Sequence, residues 1–408
     1  MTDQKNLGAT KYLYLFFLTP FIINILLGGS STSLVVSGGF SVRNYSEVGM
    51  LAILALFIYN NKDYYIDTVI RSKNLRPFFI LSILYISSTL WSQYPLLTLF
   101  KSVEFLIISL VAIAAFNDNQ TFLKSNHTIS EDLDLIKHFL FHLMVITFLH
   151  GFLHKLAFSE SFSIFMMSRD NLFSNILGGL LIFYIYLFAF KKIKSKFIIF
   201  IPILYIGTFS LATMVNFFIS LIFLFLSKFN KVLGLLFIVS FIVVSVIHLF
   251  FFQIDFALNM LSLISTRPVE HLVSLSGRSH IWDLMFQSFS QYRFGAGYAT
   301  DMVILMENFQ MGSIKTVSSA HNIYIEAFIA AKWVGVFVML YAYFFWFVKA
   351  KKNFVLDDSI LIRTLILFCL LCGFTNSGFG GSYASHPYLY FWIVFIPHLK
   401  RVKIFNKY

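Results

Sequence analysis

Long apolar runs recur along the chain, separated by short polar stretches. Most runs approach the roughly 20 residues that a helix needs to cross a bilayer core of about 30 Å. The pattern predicts an all-α polytopic membrane protein of about twelve transmembrane helices. The spans are 11–29, 46–60, 77–92, 97–117, 136–157, 172–190, 197–211, 212–227, 232–253, 320–347, 359–374 and 387–398. The stretch 197–227 also reads as one long kinked span, a choice that would invert every later segment.

One polar interval differs from the others. Residues 254–319 form a loop of roughly 65 residues, well beyond ordinary connection lengths, and long loops tend to carry function. This loop has charges of both signs, from Asp255 and Arg267 to Glu307 and Lys315. It contains an amphipathic piece, "SGRSHIWDLMFQSF" (276–289), with Ile281, Leu284, Met285 and Phe289 on one helical face and Ser288 interrupting it. No internal repeat, low-complexity tract, Walker motif or soluble domain stands out, so residues 1–408 read as a single membrane domain. That argues against an ATP-driven pump.

Composition and charge then orient the chain. Hydrophobic residues make up 58% and charged residues only 12%, against roughly 25% charged in soluble domains. Net charge is +12, which in a soluble protein would suggest nucleic acid. Here most of the 31 Lys and Arg fall in loops on one side, including "KKIKSK" (191–196), "SKFNK" (227–231), "KAKKN" (349–353) and "LKRVKIFNKY" (399–408). The positive-inside rule makes that side cytoplasmic, with both termini on it and the 254–319 loop outside. Merging 197–227 into one span would put "KKIKSK" and "KAKKN" on opposite sides, so charge favours two spans. The first run is read as a retained span, not a signal peptide. Cys369 and Cys372 lie in an apolar run, where packing explains them better than redox chemistry.

Several polar residues gather at the outer ends of the spans. Lys101 and Glu104 lie three apart, one turn into the fourth span, either as a mutual ion pair or with Lys101 holding an anion. Arg169 precedes a helix start that Asp170 or Asn171 can cap, or it meets lipid phosphate at the interface. Arg278 follows Gly277 near another helix start, and its planar fork suits phosphate. In "SSAHNIYIEAF" (318–328), Ser318 or Ser319 reads as the cap, with His321 in the first turn and Asn322 and Glu326 on one face. Neutral His321 there could accept a hydroxyl proton, bind phosphate or simply sit at the interface. Lys332, deeper, reads as a partner for Glu326 or as a separate cavity residue. Together these groups suit an anion carried on a lipid at the outer surface, such as a lipid-linked pyrophosphate.

"LWSQYPLLTLFKS" (90–102), "SRDNLFSNILGG" (168–179), "SGRSHIWDLMFQSFSQYRFGAGY" (276–298) and "SSAHNIYIEAFIAAKWVGVF" (318–337) resemble the O-antigen polymerase and ligase superfamily. The shared pattern is Trp-Ser, two spacers and Pro, then Gly-Arg with a following Trp, Gly-x-Gly, and His-Asn before an aromatic and an acid. The resemblance implies a GT-C-like membrane glycosyltransferase in the bacterial inner membrane with a periplasmic site. It implies no cofactor, nucleotide sugar or catalytic metal. The partners it implies are an undecaprenyl-pyrophosphate-linked glycan, the lipid bilayer and a chain-length regulator, with no nucleic acid. By carry-over, Arg278 neutralises the leaving pyrophosphate and His321 activates the acceptor hydroxyl or binds phosphate, with Arg169, Lys101, Asn322 and Glu326 holding substrate. One position departs from the pattern: Leu211 stands where the family often has arginine. A polymerase, joining lipid-linked repeat units, is the preferred expectation. A ligase acting on lipid A–core is the alternative, and a non-enzymatic transporter of lipid-linked glycans is a reading from another class.

Overall fold

The computed structural model describes residues 9–26, 42–70, 75–124, 142, 145, 149, 171–191, 211–238, 240, 278–289, 291–301, 303–304, 322–353 and 356–373. These residues are mostly helical, with no strand among them. In chain order the principal helices are α1 (Ala9–Leu26), α2 (Val42–Asn60), α3 (Arg76–Ser87), α4 (Pro95–Lys124) and α5 (Asn171–Lys191). They continue with α6 (Leu211–Phe229), α7 (Arg278–Phe289), α8 (Ile323–Asn353) and α9 (Leu356–Cys372). The expected span at 387–398, the segment 197–210 and most of 136–157 and 232–253 lie outside the described residues, as do His321 and Arg169.

Local chemistry explains several helix ends. Pro77 stands in the first turn of α3 and Pro95 opens α4, positions where proline's missing N–H costs nothing. Asn322 caps α8: its Oδ1 accepts the N–H groups of Tyr324 at 2.9 Å and Ile325 at 3.2 Å. The expected cap at Ser318 or Ser319 is therefore corrected, and His321 precedes the helix instead of lying in its first turn. Asparagine and serine cap almost equally well, so propensity alone could not choose between them.

Two stretches among the described residues, Pro95–Ala115 in α4 and Ile323–Lys349 in α8, are long and apolar enough to cross a membrane. Shorter apolar helices accompany them, among them Leu177–Phe190 and Ser359–Cys372. α1 packs on α2 and α4, and α2 also reaches α4. α3 lies between α4 and α8, α9 packs on α8, α6 and α5, and α5 packs on α6. The core runs through this chain of contacts by way of Phe16, Leu54, Phe105, Ile108, Ile182 and Leu365, all buried. Trp333, Val334, Phe337 and Phe344 of α8 remain exposed, the arrangement expected of a face turned to lipid.

Polar contacts collect at one end of the bundle. There the C-terminus of α3 and the N-terminus of α4 approach the N-terminal part of α8, with Trp91 bonded to Ala330. At the start of α8, the Ile323 N–H donates to Gly373 O just past α9 at 2.9 Å. The N-terminal parts of α5 and α6 meet through a hydrogen bond from Thr213 Oγ1 to Asn175 Oδ1 at 2.8 Å.

Candidate functional site

α8 is broken. Ala331 (φ −154°, ψ 33°) and Lys332 (φ 53°, ψ −143°) are non-helical, with helix on either side. A break releases carbonyls from the helical ladder, and buried carbonyls need new donors. The Ile329 carbonyl accepts the Ala296 N–H at 2.8 Å. The Ala330 carbonyl accepts the indole N–H of Trp91 at 3.0 Å. Two segments far apart in sequence, Trp-Ser and Gly-x-Gly, thus dock on adjacent carbonyls of one broken helix.

The Gly-x-Gly segment fits because it lacks side chains at two points. Gly295 has φ +104°, and a Cβ there would lie 2.6 Å from Ile329 O. Gly297 has φ +101°, and a Cβ there would lie 2.4 Å from Ser92 Oγ and 2.8 Å from Thr98 Oγ1. Ser92 and Thr98 share a hydrogen bond at 2.7 Å, and Ser92 Oγ also accepts the Tyr94 N–H at 3.1 Å. The Tyr298 N–H donates to Ser88 Oγ at 3.0 Å, and Ser88 Oγ donates to Tyr85 O at 2.6 Å. The Thr300 hydroxyl closes the turn onto Gly297 O at 2.9 Å.

Behind this loop lies a buried group of aromatic and acidic side chains. The Tyr298 ring stacks on Tyr85 with centroids 4.1 Å apart, and Phe105 meets it edge-on at 6.2 Å. Glu104, Asp301 and Glu326 are 0%, 2% and 5% exposed, which for carboxylates in an apolar bundle demands compensation. Lys101 Nζ supplies it for Glu104 at 2.8 Å. Burial raises the Tyr298 pKa well above the ordinary tyrosine range, and the nearby Tyr85, Glu326, Glu104 and Asp301 push it further. Tyr298 therefore stays a neutral phenol, and its hydroxyl makes no hydrogen bond among the described residues.

α7 is the amphipathic piece expected in the outer loop, and Arg278 is its first residue. Met285 and Phe289 are buried against Ile325 and Ile329 of α8, with Ala296 and Ile304. Ser288 is buried beside them, as the interrupted apolar face suggested. The Lys332 ammonium donates to the Phe289 carbonyl at the end of α7 and lies 5.0 Å from the Phe328 ring centre. Lys332 was open to two readings, a partner for Glu326 or a separate residue, and its ammonium goes to a backbone carbonyl of another helix.

Of the residues singled out from sequence, Lys101, Asn322 and Glu326 lie in this region: one in an ion pair, one capping α8, one buried a turn further along. Arg278 begins the helix docked on it. Among the described residues no three of His, Cys, Asp and Glu converge as metal ligands. A polar group between α5, α6 and α9 was not anticipated. Besides the Thr213–Asn175 bond, Asn216 Nδ2 donates to Cys372 Sγ at 3.7 Å. Its signal was present as asparagines and a threonine inside apolar helices. Leu211, at the expected arginine position, is the first residue of α6, two before Thr213. Cys369 and Cys372 are buried and unbridged.

No protein-family model matches the chain, and no curated protein has a significantly similar sequence.

Proposed function

We propose that the protein is a membrane glycosyltransferase that polymerises polysaccharide repeat units from polyprenyl-pyrophosphate donors at the outer face of the bacterial inner membrane. The observation that carries this reading is the break in α8. It gathers Trp91, the Gly295–Gly297 turn and the helix begun by Arg278, within one helix whose cap, Asn322, directly follows His321. These belong to three of the four segments that resemble the O-antigen polymerase and ligase superfamily, and the three meet through specific hydrogen bonds.

In the proposed reaction the acceptor hydroxyl oxygen forms a bond to the anomeric carbon of the donor glycan. The bond from that carbon to the pyrophosphate oxygen breaks, and the pyrophosphate leaves on its polyprenyl tail. The hydroxyl proton passes to His321. Negative charge grows on the leaving oxygens, and Arg278 stabilises it there, with Lys101 and Arg169 as further cations. The lipid tail stays in the bilayer while the pyrophosphate sits at the interface, as a site at the outer ends of the spans requires. In this reading the chain crosses the membrane about twelve times with cytoplasmic termini, and the bond between the N-terminal parts of α5 and α6 fits two separate spans there.

Glycan profiling in a deletion strain tests the reading. Loss of the gene should leave lipid A–core capped with a single repeat unit. Wild type should restore long chains, whereas Arg278→Ala and His321→Ala should not, at normal expression and insertion. Bare core with long glycan accumulating on the carrier lipid would instead make the protein a ligase. A normal profile with His321→Ala would remove that residue from the chemistry.

A further inference from the structure

We propose that Lys332 is a positioning residue for this transfer, setting the helix that carries Arg278 against the break in α8; the proposal rests on the functional reading above. Its backbone and its side chain act together. The φ of +53° at Lys332 is a conformation that residues with side chains rarely adopt. Such strain persists only where the surroundings hold it, and here the bonds from Ala296 N–H and the Trp91 indole do so. The same residue extends its ammonium to Phe289 O.

That carbonyl lies in the last turn of α7, where helix carbonyls lack intrahelical donors and a cation is favoured by the dipole. The carbonyl also accepts the Tyr292 N–H at 3.2 Å, which ties the Gly-x-Gly approach to the same point. Arg278 stands at the opposite end of α7, about 16 Å along the axis at 1.5 Å per residue. α7 is therefore held on α8 over its C-terminal half, by Met285 and Phe289 and by the Lys332 bond to Phe289 O, while Arg278 stands at its far end. A tilt of about 10° at Phe289 moves the Arg278 end by about 3 Å, and misplacements near 1 Å can cost about 100-fold in rate. Glycine would suit the backbone better and lysine suits it poorly, so the side chain is what the position gains.

Three variants separate these roles. Lys332→Met removes the ammonium, Lys332→Arg keeps a cation, and Lys332→Gly relieves the backbone while removing the side chain. Spin labels at Gln287→Cys in α7 and Val334→Cys in α8, both exposed sites, report the docking. Cys369 and Cys372 are buried and should stay unlabelled. Transfer is measured in proteoliposomes with a polyprenyl-pyrophosphate-linked glycan as donor.

The wild type and Lys332→Arg should give one narrow distance distribution and comparable kcat. Lys332→Met and Lys332→Gly should give broad distributions and kcat lowered about 100-fold with little change in KM. Lys332→Gly should do so without loss of thermal stability. A wild-type distribution or a wild-type kcat in Lys332→Met and Lys332→Gly overturns the proposal. Wild type lacking transfer altogether overturns the functional reading, and the distance distributions still decide whether Lys332 docks α7.

Discussion

Replacing Gly297 with alanine probes the closest approach in the site. The added Cβ would lie 2.4 Å from Ser92 Oγ, 2.5 Å from Ser92 Cβ and 2.8 Å from Thr98 Oγ1. Ser92 Cβ is fixed to the backbone, and Ser92 Oγ and Thr98 Oγ1 can turn away only by giving up the bond they share. The φ of +101° adds backbone strain for any residue with a Cβ. Backbone strain of about 1–3 kcal/mol and overpacking of about 1–3 kcal/mol give a destabilisation of about 2–6 kcal/mol. Gly49 is the internal control, since it lies within α2 with nothing within 4 Å of its would-be Cβ. Gly49→Ala should stabilise by about 0.5–1 kcal/mol, because alanine restricts the unfolded chain and favours helix. Thermal unfolding in detergent, followed by size-exclusion of the heated sample, measures both. Gly297→Ala should melt several degrees below wild type and Gly49→Ala at or slightly above it. Adding Ser92→Gly to Gly297→Ala should recover part of the loss, as coupling between neighbours requires. Equal melting of Gly297→Ala and wild type would refute the contact between the two loops.

Trp91→Phe keeps the aromatic packing but leaves the Ala330 carbonyl without its indole donor, so it should lower stability by about 1–3 kcal/mol in the same melt. Lys101→Met removes the cation paired with Glu104, which is fully buried, and should cost about 3–5 kcal/mol. Lys101→Met with Glu104→Gln should recover much of that, a double-mutant cycle that reads the pair directly. Cys369 and Cys372 should resist a water-soluble maleimide in the folded protein and react fully after denaturation, as counted by mass spectrometry.

Among the described residues, helix positions were largely legible because long apolar runs leave little else for the chain to form. The span read at 97–117 lies inside Pro95–Lys124, and that at 172–190 inside Asn171–Lys191. The ion pair of Lys101 with Glu104 was one of two readings, and three-residue spacing on a helix explains why it forms. The break in α8 was not legible, since "AAKW" (330–333) has neither proline nor glycine. Its one local trace is Gly335, where a Cβ would lie 2.0 Å from Ala327 O across the break, and a lone glycine in an apolar helix is too common to signal this. The docking of Trp91 and Ala296 on α8 depends on carbonyls that exist as acceptors only once the helix breaks, so tertiary structure alone reveals it. Neither could spacing show that Lys332 reaches α7, because its partner is a backbone carbonyl of a different helix.

The most direct test of the central claim is reconstitution of the purified chain in liposomes with a polyprenyl-pyrophosphate-linked glycan. The measured quantity is polyprenyl pyrophosphate released for each glycosidic bond formed. One for one is expected with wild type, and none with Arg278→Ala in protein of wild-type stability. An unchanged lipid-linked pool with folded wild type, or transfer by Arg278→Ala at the wild-type rate, would contradict the claim.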